Sequence, residues 1–150
     1  MGNQRDYERG RNDFFSYQFT TASARVTING VSGKMVERKI QPETGYQGLP
    51  AYGGSSDIYF AKGKDGLASQ AKLYDGNGKM KLDFDWSHDH KNKDGTVFHK
   101  GVVHVQEYKV ETVKGHDKFN RPKKARLMTD AEIEKYGPIL KHFNPNIRFR

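Results

Sequence analysis

From Lys79 to Trp86 the chain alternates strictly. Lys79, Lys81, Asp83 and Asp85 are charged, while Met80, Leu82, Phe84 and Trp86 are apolar or aromatic. A period of two puts each set on its own side of a strand, so this stretch predicts a strand with one buried face. Short β-like runs also cover 24–29, 34–40, 57–62, 67–74 and 100–113. Between the runs stand Asn29-Gly30, Asp65-Gly66, Asp75-Gly76, Asn77-Gly78 and Asp94-Gly95, pairs that tolerate positive φ and suit hairpin turns. One helix is expected. Thr129-Asp-Ala-Glu132 has capping-box spacing, and Ile133, Tyr136 and Leu140 follow at helical intervals. Gly137-Pro138 should break or kink that helix, because proline lacks a backbone donor. The expected architecture is therefore α+β: one domain over 1–150, an antiparallel twisted β-sheet of hairpins and one short C-terminal helix. Residues 1–23 read as a flexible start docking through Phe14, Phe15, Tyr17 and Phe19. The Gly- and Pro-rich segment 41–56 reads as a long loop, and 144–150 as an extended basic tail.

The candidate chemistry lies in Lys79–Val110. Four of the six histidines, His88, His90, His99 and His104, fall there, interleaved with Asp83, Asp85 and Asp89. A two-residue Asp94-Gly95 turn would put Trp86 opposite Val103 and Phe84 opposite Val105, giving one consistent apolar face. A slip of one residue would break that agreement. The same register places His90 opposite His99, with His88 two residues along. Asp85 then faces His104 on the other side, with Asp83 beside Gln106. Three convergent imidazoles suit Zn²⁺ or another divalent ion. A bulge near 98–101 would bring His104 to them as a fourth ligand. Asp85 with His104 reads instead as an acid–imidazole pair, a candidate general base or an orienting pair. Three readings stay open at this point: a metal site, a metal-free acid–base site, and a solvated loop whose histidines meet only water.

Composition narrows the classes. Leu, Ile, Val and Phe together make up a fifth of the chain, and only six residues are Leu, so a helical bundle is excluded. No apolar run approaches the ~18 residues of a membrane span, and the polar opening shows no signal peptide, so a cytoplasmic protein is expected. There is no cysteine, so disulfides, thiolate metal sites and cysteine nucleophiles are excluded. The net charge is +8, and most of it gathers after residue 108. Lys118, Arg121, Lys123, Lys124 and Arg126 form the densest cluster. An anionic partner is expected, either nucleic acid or a nucleoprotein complex.

Residues 67–110 also carry a resemblance. Tyr74-Asp75-Gly-Asn-Gly78, the strand ending Asp83-Phe-Asp85-Trp86, His88, a Gly-containing loop and the closing His104 strand resemble small domains of phages and mobile elements of Gram-positive bacteria. Some of these are polymorphic-toxin domains, grouped with barnase, EndoU, colicin and RelE-like ribonucleases. They commonly close with Pro-His-x-His, where this chain has Val102-Val-His104-Val. The resemblance implies roles for Asp83, Asp85, His88 and His104. Two functions follow as expectations. One is a basic, metal-stapled binding protein directed at a nucleic-acid machine, such as an anti-CRISPR-like inhibitor of host defence. The other is a toxin-type ribonuclease using His and Asp, with Asp85 and His104 as its catalytic pair.

Overall fold

The computed structural model describes residues 24–36, 39–40 and 47–150. The aromatic docking expected of residues 1–23 lies outside the described residues, as do positions 41–46 of the expected loop. Among the described residues the strands are β1 (Val26–Ile28), β2 (Val31–Val36), β3 (Lys39–Ile40), β4 (Gln47–Gly48), β5 (Ile58–Lys62), β6 (Ala68–Tyr74) and β7 (Met80–Asp85), then β8 (His90–Lys91), β9 (Val97–Phe98), β10 (His104–Glu107), β11 (Lys109–Val113), β12 (His116–Asn120) and β13 (Arg126–Leu127), followed by helix α1 (Asp130–Phe143). Seven strands form one sheet in the order β1-β2-β5-β6-β7-β10-β13, and β3-β4, β8-β9 and β11-β12 are separate two-stranded ribbons.

The sheet is mixed, which corrects the all-antiparallel expectation. β2 and β5 run parallel, with Gly33 opposite Ile58 and Val36 opposite Ala61. β5 begins only at Ile58, well after β2 ends at Val36, a separation long enough for the crossover that parallel neighbours require. A Cβ on Gly33 would lie 2.6 Å from the Ile58 carbonyl oxygen, so the close approach of these strands depends on a position without a side chain.

Helix α1 covers one face of the sheet. Ile58, Phe60, Leu73, Leu82, Phe84 and Val105 meet Ile139, Leu140 and Phe143 in the main core. Phe60 and Phe143 stack with centroids 4.1 Å apart. Each such burial contributes about 1.5–3 kcal/mol, so aromatic area offsets the shortage of leucine. The opposite face holds a smaller apolar cluster of Val36, Leu49, Tyr59, Ala61 and Tyr74. Towards β7 and β10 that second face turns polar, with Lys72, Asp83, Asp85, His104 and Gln106 at its alternate positions.

The capping box forms as its spacing predicts: Glu132 N donates to Thr129 Oγ1, and Thr129 N donates to Glu132 Oε1. The expected break at Gly137-Pro138 does not occur, and α1 continues through Pro138 to Phe143. Proline there deprives the Glu134 carbonyl of its helical donor. Asn29, from the β1–β2 turn, supplies a replacement, since its Nδ2 lies 2.9 Å from that oxygen. The tail, expected to be extended throughout, turns at Pro145-Asn146 and then docks. Ile147 is buried in the main core, and Arg148 bridges Val102 in parallel. Among the described residues no helix is long and apolar enough to cross a membrane.

Candidate functional site

The register read from alternation holds across β7 and β10. His104 pairs with Asp85, Val105 with Phe84 and Gln106 with Asp83. Trp86 and Val103 both join the main core, where the Trp86 Nε1–H donates to the Ala68 carbonyl.

Beyond Asp85 the register changes, and this corrects the expected pairing of His90 with His99. Asp85 Oδ1 accepts from Ser87 N at 2.9 Å and from Ser87 Oγ at 3.0 Å, which turns the chain out of the strand. On the return side, Val102 N donates to the His99 carbonyl, and Gly101 sits at φ 94°. The ribbon between pairs His90 with Phe98 and Lys91 with Val97. Its loop is Lys93-Asp94-Gly95, closed by Asn92 N on the Thr96 carbonyl, rather than a two-residue Asp94-Gly95 turn. One residue of slip exchanges the faces. His99 is therefore exposed and faces away from His90.

The remaining three imidazoles do converge, around His104. The His90 and His88 rings lie 5.3 and 6.3 Å from it, centroid to centroid, and Phe98 stacks on it at 5.7 Å. Among the described residues no three His, Asp or Glu side chains form a group that could hold a metal ion. The expected zinc set of His88, His90, His99 and His104 is not assembled in this arrangement.

Hydrogen-bond partners set the proton positions. The Val102 carbonyl oxygen, 3.4 Å from His104 Nδ1, can only accept, so Nδ1 carries the hydrogen and Nε2 keeps its lone pair. Ser87 Oγ gives its hydrogen to Asp85 and so accepts from His88 Nδ1 at 3.1 Å. The chain His88–Ser87–Asp85 thus backs one imidazole with a carboxylate, whose Oδ1 is 3.7 Å from Nδ1. His90 Nε2 donates to Asn92 Oδ1 at 3.1 Å.

Asn92 was not singled out by the sequence, yet it assembles the site. Only 4% exposed, it accepts from Ala125 N at 2.8 Å and donates to the Ala125 carbonyl at 2.9 Å. This two-point clip draws the segment 121–125 over the polar sheet face. A cavity of about 1080 Å³ results, with Asp85, His88, His90 and His104 along one part of its lining. Lys91, Lys93, Arg121, Lys123 and Lys124 supply its positive charge, against Asp85 and Asp94. Lys91 and Lys93 belong to the hairpin tip, which charge clustering after residue 108 did not reveal. Two expected contact residues are elsewhere. Lys118 lies in the β11–β12 ribbon opposite Glu111. Arg126 binds Glu107 and Glu132 at the start of α1, a structural role.

Burial lowers the pKa of His104, with His90 and His88 adding to the effect and Asp85 and the Val102 carbonyl opposing it. The folded state therefore holds this proton less tightly than the unfolded chain, whose value is near 6.5. Its contribution to stability is fully present above that value and is lost as pH falls towards the folded pKa. Thermal melts of wild type and His104→Gln should accordingly show a difference that is constant above pH 6.5 and changes below it, with wild type losing more stability in acid. Parallel pH profiles for the two proteins would contradict this.

Comparison of the chain with protein-family models, with curated proteins and with solved structures finds no match, so its functional reading rests on the geometry of this cavity.

Proposed function

We propose that this cavity binds single-stranded RNA and cleaves it by acid–base catalysis. The observation that carries the reading is the placing of His88 and His104, 6.3 Å apart by ring centroid, in a cavity whose other charged groups are mostly cationic. His104 Nε2 is the base: its ring is held neutral by burial, with Nδ1–H turned to a carbonyl. It takes the proton of a ribose 2′-OH. The O2′ attacks the adjacent phosphorus, and the P–O5′ bond breaks. His88 is the acid, since its protonated form has Asp85 as partner through Ser87, and it delivers a proton to the departing O5′. The products are a 2′,3′-cyclic phosphate and a 5′-hydroxyl. The nucleophile is internal to the substrate, so the two imidazoles suffice for the proton transfers.

The test is incubation of the protein with a labelled single-stranded RNA in the presence of a chelator. Fragments ending in 2′,3′-cyclic phosphate are expected, and none from the same sequence made as DNA. RNA that is bound but left intact would favour the other reading, a basic binding protein directed at a nucleoprotein complex. Stoichiometric zinc, with melting sensitive to chelator, would favour the metal-stapled form of that reading.

A further inference from the structure

Lys72 on β6 and Asp83 on β7 are directly opposed, and Gln106 on β10 continues the row. Lys72 is only 6% exposed. Its Nζ lies 3.6 Å from Asp83 Oδ1 and 3.3 Å from the Tyr108 hydroxyl, over whose ring it sits at 5.0 Å. The Tyr108 hydroxyl donates to Asp83 Oδ2 at 2.8 Å, and Arg121 Nη1 donates to the same oxygen at 2.9 Å. Asp83 thus faces two cations, one buried and one at the surface. Burial lowers the pKa of Lys72, and the charge of Arg121 lowers it further, against the attraction of Asp83. Arg121 is the exposed partner of Asp83.

Arg121 also faces the cavity. The Arg121 side chain is 49% exposed and lines the same space as His88 and His104. The backbone that follows is pinned too, because Gln106 Nε2 donates to the Pro122 carbonyl at 3.0 Å and to that of Lys123 at 3.2 Å. A planar guanidinium of fixed orientation matches the non-bridging oxygens of a phosphodiester in a way that a lysine ammonium does not. We infer that Arg121 is the phosphate-binding residue of the cavity, oriented by the half-buried Lys72–Asp83–Tyr108 network, an inference that takes its substrate from the RNA-cleaving reading above.

The probe is a single-stranded 2′-O-methyl RNA oligonucleotide, which lacks the nucleophile and so reports binding without turnover. Its affinity for the whole protein is measured by fluorescence anisotropy over a range of salt. Arg121→Ala and Arg121→Lys should each weaken binding about tenfold, because neither retains the fork, and Arg121→Ala should reduce the salt slope by about one charge. Lys118→Ala, on the separate ribbon, should stay within about twofold of wild type. Asp83→Asn alone leaves Lys72 buried beside a neutral group and threatens the fold. The paired variant Lys72→Met/Asp83→Asn removes both charges together and should fold while weakening the oligonucleotide about threefold, by freeing Arg121. Wild-type affinity and salt slope in Arg121→Ala would overturn the inference, and RNA cleavage by the wild type would then stand without it. A wild type that neither binds nor cleaves RNA would remove the cleavage reading and this inference with it.

Discussion

Replacing His104 by Gln should lower RNA cleavage about 10²–10⁴-fold, the usual range for losing a positioned general base. Gln can keep a hydrogen bond near the Val102 carbonyl but has no basic nitrogen to offer the 2′-OH. His88→Gln should lower the rate over a similar range through loss of the acid. The two losses should not add, since each residue serves the same transition state. The pH profile distinguishes the roles. Wild-type kcat/KM should be bell-shaped. Its acid limb lies below the ordinary imidazole range, because burial first, with His90 and His88 adding, lowers the pKa of His104. In His88→Gln the alkaline limb should disappear while the acid limb remains. In His104→Gln the acid limb should go. His142→Gln, on the exposed side of α1, should match wild type. Cleavage undiminished in both cavity variants would show that the imidazoles are not the acid and base.

The second large effect is expected at Asn92, and it is structural first. Asn92→Ala removes the donor and the acceptor that satisfy both backbone groups of Ala125, itself 1% exposed. Leaving buried polar groups unpaired costs about 1–3 kcal/mol each, so a loss of about 3 kcal/mol is expected. In a domain of this size that is about 10 °C in melting temperature. The effect should also be local. Ala125 N–H should exchange with solvent much faster, and affinity for RNA should fall with it, because Arg121, Lys123 and Lys124 are no longer held against the hairpin tip. Asn92→Asp keeps the acceptor for Ala125 N but loses the donor to its carbonyl, and should be intermediate. A variant Asn92→Ala that melts within a degree of wild type would mean that water replaces the clip.

Both sets of variants bear on how the site is divided along the chain. Asp85, His104 and Gln106 hang from strands of the main sheet, whose register is set by burial of Phe84 and Val105. His88, His90 and Asn92 come from the irregular excursion that begins at Ser87. Arg121 and the neighbouring lysines come from the segment that Asn92 and Gln106 pin down. The main sheet thus carries the proposed base, and the other two parts bring the proposed acid and the cationic rim to it. Losing the clip should therefore affect binding and stability more than the protonation of His104.

What the sequence determined by itself was local or strictly periodic. The Lys79–Trp86 alternation specified the β7 face and, with Val103 and Val105, the pairing of Asp85 with His104, because a one-residue error would have exposed the whole apolar set. The Thr129–Glu132 capping box named the start of α1, because both of its hydrogen bonds lie within four residues. Of the histidines and aspartates that the sequence singled out, Asp85, His88, His90 and His104 line the cavity, whereas His99 does not. Tertiary structure decided the rest. The polar tract 87–101 has no apolar face to select its register, so turn geometry at Gly95 and Gly101 shifted it by one position and sent His99 outward. Pro138 reads as a helix breaker until Asn29, remote in sequence, supplies the missing donor. The same holds for the parallel β2–β5 pair, the Asn92–Ala125 clip and the Asp83–Arg121 pair. Each joins groups far apart along the chain, and neither periodicity nor local propensity carries information about which distant groups will meet.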